Sequence, residues 1–383
     1  MQADVCAAIT LSNSSTVINV GARVKYARDA LRLTQDEVKS ALGFNDRQTV
    51  SDIETGKRAV KAEELLKLSE LLDRDVEFFL DPFSVIAEAQ YSWRASPELP
   101  GKALDQFEGQ ASGWIGLLRW LREQEGVAQN PLKRTLRLNG HSTFEQAMSH
   151  AENLVAAFGL GPVPALKLVE CIEGQFDTPV LFIDTGESLP PGGISGAACH
   201  LDELGVILVN RRESVARRYF DLAHEFFHIL TWEAMRPDHR ESNSIEDRKG
   251  ERRVEQLANN FAAALLMPRV ALEALIEPAR AHDVQHLAYV AAELKVTTDA
   301  LGWRLLNLHR IDDATRKKLA QCKRSDGAGD VPRPFSLTFV KLLHIALDKG
   351  RVSARKAARA LGVPLSGLTT LFAMYDLPAP FEL

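Results

Sequence analysis

Cysteine is scarce in this chain. The four present, Cys6, Cys171, Cys199 and Cys322, are scattered through 383 residues and make no C-x-x-C pair. That excludes a disulfide framework and a zinc-finger pattern and fits a reducing cytosol. Cys199 and His200 are neighbours, but adjacent residues of a strand leave opposite faces, which argues against a shared metal. No apolar run approaches the roughly 18 residues of a membrane span. The N-terminus lacks the basic segment and apolar core of a secretory signal. Repeats of solenoid period are absent. Nor is there an excess of one charge: 46 Lys and Arg stand against 51 Asp and Glu, a net charge of −5. Such a balance argues against non-specific coating of nucleic acid, although a local DNA-binding face remains compatible with it. What is left is the composition of an ordinary globular protein, 45% hydrophobic and 25% charged, long enough for two or three domains.

The chain is organised around Ala223-His224-Glu225-Phe226-Phe227-His228-Ile229-Leu230. His224 and His228 are one turn apart on a helix, so both imidazoles leave one face, as holding a single Zn²⁺ requires. Glu225 starts from the same turn and is placed to act as general base toward a water there. The surrounding run from Tyr219 to Leu230 is nearly all apolar and predicts a buried helix. The competing interpretation is a core helix that carries two histidines for packing.

A second helix is predicted downstream, with Ala258, Phe261, Ala262 and Leu265 at helical spacing and Pro268 as its stop. Glu255 near its start would complete a His₂Glu set with one open position, a catalytic rather than a structural arrangement. Glu251 is the competing ligand on that face. Asn259, one turn after Glu255, is placed to orient it.

His-Glu-x-x-His followed by Glu-x-x-Ala-Asn-x-Phe-Ala-x-x-Leu-Leu-Met-Pro resembles the ImmA/IrrE metallopeptidases. Arg217 to Ala223, the strand Val206 to Asn210 and the segment Val296 to Leu305 are similar to further pieces of that family, so the resemblance spans about residues 147–310. It implies that His224, His228 and Glu255 hold the metal and that Glu225 is the base. It also implies a helix-turn-helix repressor as substrate. One departure is Phe226-Phe227, where the family commonly has Leu-Gly. Phe227 is bulky where a glycine would let another backbone approach, which bears on substrate access.

The N-terminal region carries a second resemblance. Residues 1–18 are polar and predict a poorly ordered arm. Thr34-Gln35-Asp36-Glu37 is a capping box that opens a helix ending at Leu42-Gly43, and Asn45 to Gln48 opens the next, which ends at Glu54. Two short capped helices around a glycine turn are a helix-turn-helix signature. Thr-Gln-x-x-Val-x-x-x-Leu-Gly and the following Thr49 to Arg58 resemble the lambda-repressor-like (Xre) family. The resemblance puts the start of the second helix in a major groove, with Arg47, Gln48, Thr49 and Ser51 as base readers. Gln35, Lys57, Arg58 and Lys61 are then the phosphate contacts. The competing reading is a docking or dimerisation module, since acidic and basic residues balance here.

Residues 84–145 predict a mostly helical connector with an apolar stripe of Ile115, Leu117, Leu118, Trp120 and Leu121, in which Trp114 and Trp120 serve packing. Glu145–Phe158 and Leu166–Glu173 predict two helices. Three short strands follow, Val180–Ile183, Ile194–His200 and Val206–Asn210, a sheet suited to bracing the metal helix or to binding substrate by strand addition. The polar stretch 231–249 predicts a flap, and His200, Tyr219 and His239 are the candidates to polarise a carbonyl. Residues 323–334 read as a linker. The tail 335–383 predicts a helical unit with a helix-turn-helix look, but its second helix lacks Arg and Lys, which favours packing or oligomerisation.

The fold class expected is therefore mainly α with a small β-sheet (α+β). Its parts are an arm (1–18), a helix-turn-helix bundle (19–83), a helical connector (84–145), a zincin-like metallopeptidase domain (146–322), a linker (323–334) and a helical C-terminal domain (335–383). The expected function is a cytoplasmic DNA-binding regulator whose Zn²⁺- or Mn²⁺-dependent peptidase domain cleaves a repressor, or itself, in a stress, phage or mobile-element response. Its expected partners are an operator DNA, a protein substrate and a second copy as homodimer, with no membrane. The alternative is a non-catalytic repressor or antitoxin whose peptidase-like domain senses a ligand or holds a partner.

Overall fold

A computed structural model describes residues 19–127, 135–185, 192–242, 253–322 and 331–381. The expected arm, most of the expected linker, the end of the expected flap, Cys6 and Glu251 lie outside these residues.

The first five helices form a bundle: α1 (Val20–Ala30), α2 (Gln35–Leu42), α3 (Arg47–Glu54), α4 (Ala62–Leu71) and α5 (Val76–Leu80). Its core is Val24, Ala27, Val38, Leu42, Val50, Ile53, Leu65, Leu68, Leu72 and Phe79. The capping box forms as read: the Glu37 amide donates to Thr34 Oγ1 at 3.2 Å, and the Thr34 amide donates to Glu37 Oε2 at 2.7 Å. Asp46 caps α3, its Oδ1 accepting from the Thr49 amide at 2.8 Å. Gly43 ends α2 in the left-handed region (φ 72), which glycine adopts without the penalty of a Cβ.

The segment read as a helical connector departs from that reading. Gln90–Ala95 is a strand, β1, and the long helix α6 (Gly101–Gln124) follows it. The sequence signal for β1 is a short alternation, and its pairing partner lies about a hundred residues downstream. Next come α7 (Phe144–Ala157), α8 (Ala165–Phe176), β2 (Val180–Ile183), β3 (Ile194–Leu201) and β4 (Leu204–Asn210), close to the expected bounds. The helix α9 (Val215–Thr231) leads to a short strand β5 (Arg240–Ser242), inside the stretch read as a flap, and then to α10 (Arg253–Leu266). After these come α11 (Arg269–Leu275), a 3₁₀ turn at Pro278–Arg280, α12 (Val284–Glu293), α13 (Thr298–Asn307) and α14 (Asp313–Gln321). Three helices close the chain: α15 (Leu337–Asp348), α16 (Ala354–Leu361) and α17 (Leu365–Met374).

The sheet has five strands in the order β2-β4-β3-β1-β5. β2 runs parallel to β4 and β5 parallel to β1, while β3 is antiparallel to both of its neighbours. The chain is thus mainly α with a small sheet, as expected. Every residue of β3 and β4 is buried, because both faces of the sheet are covered. Ala198, Ile207 and Val209 face a core built from α7 to α10 and α12 to α14. Ala197, Cys199, Val206 and Leu208 face a second core built from α6 and α15 to α17. The last helices therefore pack on the far side of the sheet. Trp114 serves that packing, its Nε1 donating to the Leu361 carbonyl at 3.0 Å, and Trp120 meets Phe83 edge-on. Leu368, Leu371 and Phe372 of α17 are buried in the same layer.

Candidate metal centre and nucleic-acid face

Helix α9 begins at Ser214, whose Oγ accepts from the Arg217 amide at 3.3 Å, and is buried throughout from Asp221 to Thr231. It runs beneath β3 and β4 and against α10. His224 and His228 turn toward α10. Their Nε2 atoms are 3.0 Å apart, and Glu255 Oε2 lies 3.2 Å from the first and 3.6 Å from the second. These three are the group among the described residues whose ligand atoms converge in a way that could hold a metal ion.

The triangle tests the fit. Nitrogen and oxygen ligands about 2.0–2.1 Å from a tetrahedral Zn²⁺ lie about 3.3 Å from one another. The observed edges of 3.0, 3.2 and 3.6 Å bracket that value. The donor set of two imidazoles and one carboxylate also suits a divalent ion.

Asn259 was expected to orient Glu255. Its Oδ1 lies 3.0 Å from His224 Nδ1. A proton on Nδ1, donated to Asn259, leaves the lone pair on Nε2, the nitrogen that faces Glu255. Glu225 is fully buried against β3: a Cβ added to Gly196 would sit 3.6 Å from Glu225 Cγ and 2.9 Å from the Leu208 carbonyl. The close approach of the Leu208 carbonyl is what requires glycine at 196, and Glu225 lies at ordinary contact distance beside it.

Phe226 and Phe227, the departure from the family pattern, are also fully buried. The Phe227 ring packs on Phe261 and His228 with centroids 5.4 and 5.8 Å away. It fills the core between α9 and α10, at no point exposed to a substrate.

Three residues that the sequence did not single out, one on this helix and two on the strands beside it, belong to these surroundings. Asp221, one turn before Glu225, is buried and ion-paired with Arg94 of β1 at 3.2 Å and with Arg217 at 3.6 Å. Gly196 is the third. The alternation of aromatic and polar residues in Tyr91-Ser92-Trp93-Arg94 is the signal that could have revealed the strand carrying Arg94.

The carbonyl-polarising candidates have the following surroundings. His200 stacks on Trp232 at 5.2 Å and pairs with Glu233, and burial lowers its pKa. The Nε2 of His239 is 2.6 Å from Glu108, whose hydrogen bond raises the imidazole pKa. Tyr219 precedes His224 by five residues, about 140° around the helix from it.

In the N-terminal bundle, Arg47, Gln48 and Lys57 are exposed, and Gln35, Thr49, Ser51 and Arg58 are half-buried. Arg47 Nε donates to Gln35 Oε1 at 2.9 Å, and Gln48 Nε2 donates to Asp52 at 2.8 Å. Arg58 holds Glu64 with two hydrogen bonds, 2.6 and 2.9 Å, and lies over the Phe44 ring.

Two family models match this chain. Residues 180–306, from β2 into α13, match the IrrE N-terminal-like domain of peptidase family M78, and residues 24–79, from α1 to α5, match a helix-turn-helix model. The chain joins an Xre-like helix-turn-helix domain to an ImmA/IrrE-type peptidase-family domain. Both pieces support a DNA-binding regulator that carries a metallopeptidase-type domain. Strand β1 and the helices α6 and α15 to α17 lie outside both matched spans. Comparison with curated proteins gave no match, and comparison with solved structures gave none. Among the described residues, no single helix is long and apolar enough to cross a membrane.

Proposed function

We propose that this chain is a DNA-binding regulator that hydrolyses a peptide bond in a partner protein, of which a helix-turn-helix repressor or a second copy of this chain are the candidates. The observation that carries the reading is the converging triangle of His224, His228 and Glu255 inside a peptidase-family domain. These three residues would hold a divalent ion, Zn²⁺ or Mn²⁺. Such an ion, when bound, supplies Lewis acidity that favours ionisation of a water and polarises a carbonyl.

The chain's own groups do the rest. Glu225 takes the proton of the attacking water on its carboxylate and returns it to the leaving amine, so that a C–O bond forms as the C–N bond breaks. Asn259 fixes the His224 tautomer, and Asp221 with Arg94 anchors the helix one turn before Glu225. On the DNA side, the reading assigns Arg47, Gln48, Thr49 and Ser51 to bases and Gln35, Lys57 and Arg58 to phosphates.

Elemental analysis of the parent and of His228→Ala tests the metal half. About one ion per chain in the first and almost none in the second is the expected result. Glu225→Gln tests the chemistry, since it should keep the ion and the fold and abolish cleavage. If the cellular response survives that change, the domain acts as a sensor or a partner-holding module instead.

A further inference from the structure

His224, Glu225 and His228 are at most 1% exposed. The site opens at Glu255, whose side chain is 17% exposed, but an extended polypeptide that is to reach Glu225 has to displace part of the chain around it. β3 passes close to Glu225: a Cβ added to Gly196 would lie 3.6 Å from Glu225 Cγ. The outward neighbour of Gly196 in the sheet is Arg94 of β1, and the ladder is irregular there, between Arg94 and Ala95. Asp221, Glu225, His228 and Trp232 form one stripe of α9, spaced four, three and four residues apart. β1 touches both ends of that stripe: Arg94 pairs with Asp221 at 3.2 Å, and Gln90 Oε1 accepts from Trp232 Nε1 at 3.3 Å.

The two faces of β1 differ. Tyr91, Trp93 and Ala95 are buried in the core shared with α6. Gln90, Ser92 and Arg94 turn toward α9 and the segment after it and make polar contacts there, with Ser92 Oγ donating to the Asp238 carbonyl at 2.8 Å. β1 enters from outside the matched peptidase span, antiparallel to β3 over six residues, in the manner of an added peptide.

We propose that β1 is an intramolecular occupant of the edge on which an extended peptide substrate pairs, so that the chain holds its own site closed until β1 leaves β3. This rests on the peptidase reading above. The substrate class is an extended segment with the alternation of β1, aromatic on one face and polar on the other. The connector begins at the helix-turn-helix domain, and its first residues are fastened on both sides. Arg23 of α1 and Arg119 of α6 both donate to the Ser84 carbonyl, at 2.7 and 3.3 Å, and Arg119 also pairs with Glu88 at 2.6 Å. Ser84 is thus the point at which the helix-turn-helix domain and α6 both hold the segment that leads into β1.

The test uses the full chain in a Glu225→Gln background, so that nothing bound is cut. Ser92 and Ala198 are register partners, and Ser92→Cys with Ala198→Cys places a thiol pair that oxidised glutathione closes and dithiothreitol opens. The probe is a fluorescein-labelled synthetic peptide of residues 88–97. Trp93→Ala weakens the internal copy, which competes at an effective concentration of about millimolar, and should raise probe affinity at least about tenfold. The closed disulfide should abolish that gain, and reduction should restore it. Arg94→Gln loosens the opposite face and serves if Trp93→Ala does not fold. Unchanged probe affinity on loosening, or on locking, would overturn the proposal. A probe that seats on β3 but is not cut once Glu225 is restored leaves the proposal standing and removes the peptidase reading.

Discussion

His224 and Asn259 face each other across α9 and α10, with Nδ1 and Oδ1 3.0 Å apart. The hydrogen bond fixes which imidazole nitrogen keeps its lone pair, so it should govern metal affinity without touching a metal. Asn259→Ala should weaken binding of Zn²⁺ about 10- to 100-fold, read by competition with a chromogenic chelator, while the far-ultraviolet circular dichroism stays unchanged. Equal affinity in the variant and the parent would remove Asn259 from the site.

Asp221 is 2% exposed and depends on Arg94 and, at longer range, on Arg217. Removing one partner of a buried ion pair leaves a charge that is poorly compensated. Arg94→Met should therefore destabilise the fold by about 2 kcal/mol in urea unfolding, less than a fully orphaned charge because Arg217 remains. Adding Asp221→Asn should recover part of the loss, and a double variant that simply sums the two single effects would show that the pair is not coupled.

Much of this architecture was legible in local chemistry. The capping box at Thr34, the Asp46 cap and the period of α9 and α10 are written within a few residues of one another, and their elements form where the patterns place them. The three strands between residues 180 and 210 were equally plain, since strands buried on both faces read as apolar runs. β1 was missed because Gln90–Ala95 owes its state to β3, and nothing near it in sequence announces the pairing. With β1 went Arg94 and the partnership with Asp221, which no spacing rule can reveal. The Glu225–Gly196 approach is a tertiary contact of the same kind. For Asn259, helical spacing pointed to the right neighbourhood, while its hydrogen-bond partner had to come from the packing of α10 on α9.

His239 helps to tether β5 to the sheet. The Trp93 amide donates to the His239 carbonyl at 2.9 Å, and the imidazole meets Glu108 at 2.6 Å. Glu108 raises the His239 pKa first through the hydrogen bond and then through its charge, with Asp105 adding to this, while burial and Arg240 oppose. A raised histidine pKa contributes stability that is fully present below the unfolded value near 6.5 and is lost as pH climbs through the folded value. His239→Gln keeps a donor but cannot titrate. The stability gap between parent and variant should be widest below about pH 6.5 and should close as pH rises above that value. Because His239 is half exposed, the gap should stay below about 1 kcal/mol. A gap that widens with pH would contradict the assignment.

The helix-turn-helix face offers two kinds of basic or amide group, and they should fail differently. Arg47 and Gln48 are exposed near the start of α3, where a recognition helix meets base edges. Their side chains bond Gln35 and Asp52 in the free protein, so reading DNA requires exchanging these partners for bases. Arg47→Ala with Gln48→Ala should cost about 1–3 kcal/mol for each base no longer read and relax sequence preference, measured by footprinting on the region upstream of the chain's own gene. Lys57, exposed just after α3, should behave as a phosphate ligand: Lys57→Ala weakens binding to all sequences alike and lowers the salt slope by about one ion. Arg58 already holds Glu64 with two hydrogen bonds and covers Phe44. Arg58→Ala should therefore lower the thermal midpoint of the isolated chain before any DNA is added. Weakened DNA affinity with an unchanged midpoint would show that Arg58 serves the phosphates alone and does not brace the bundle.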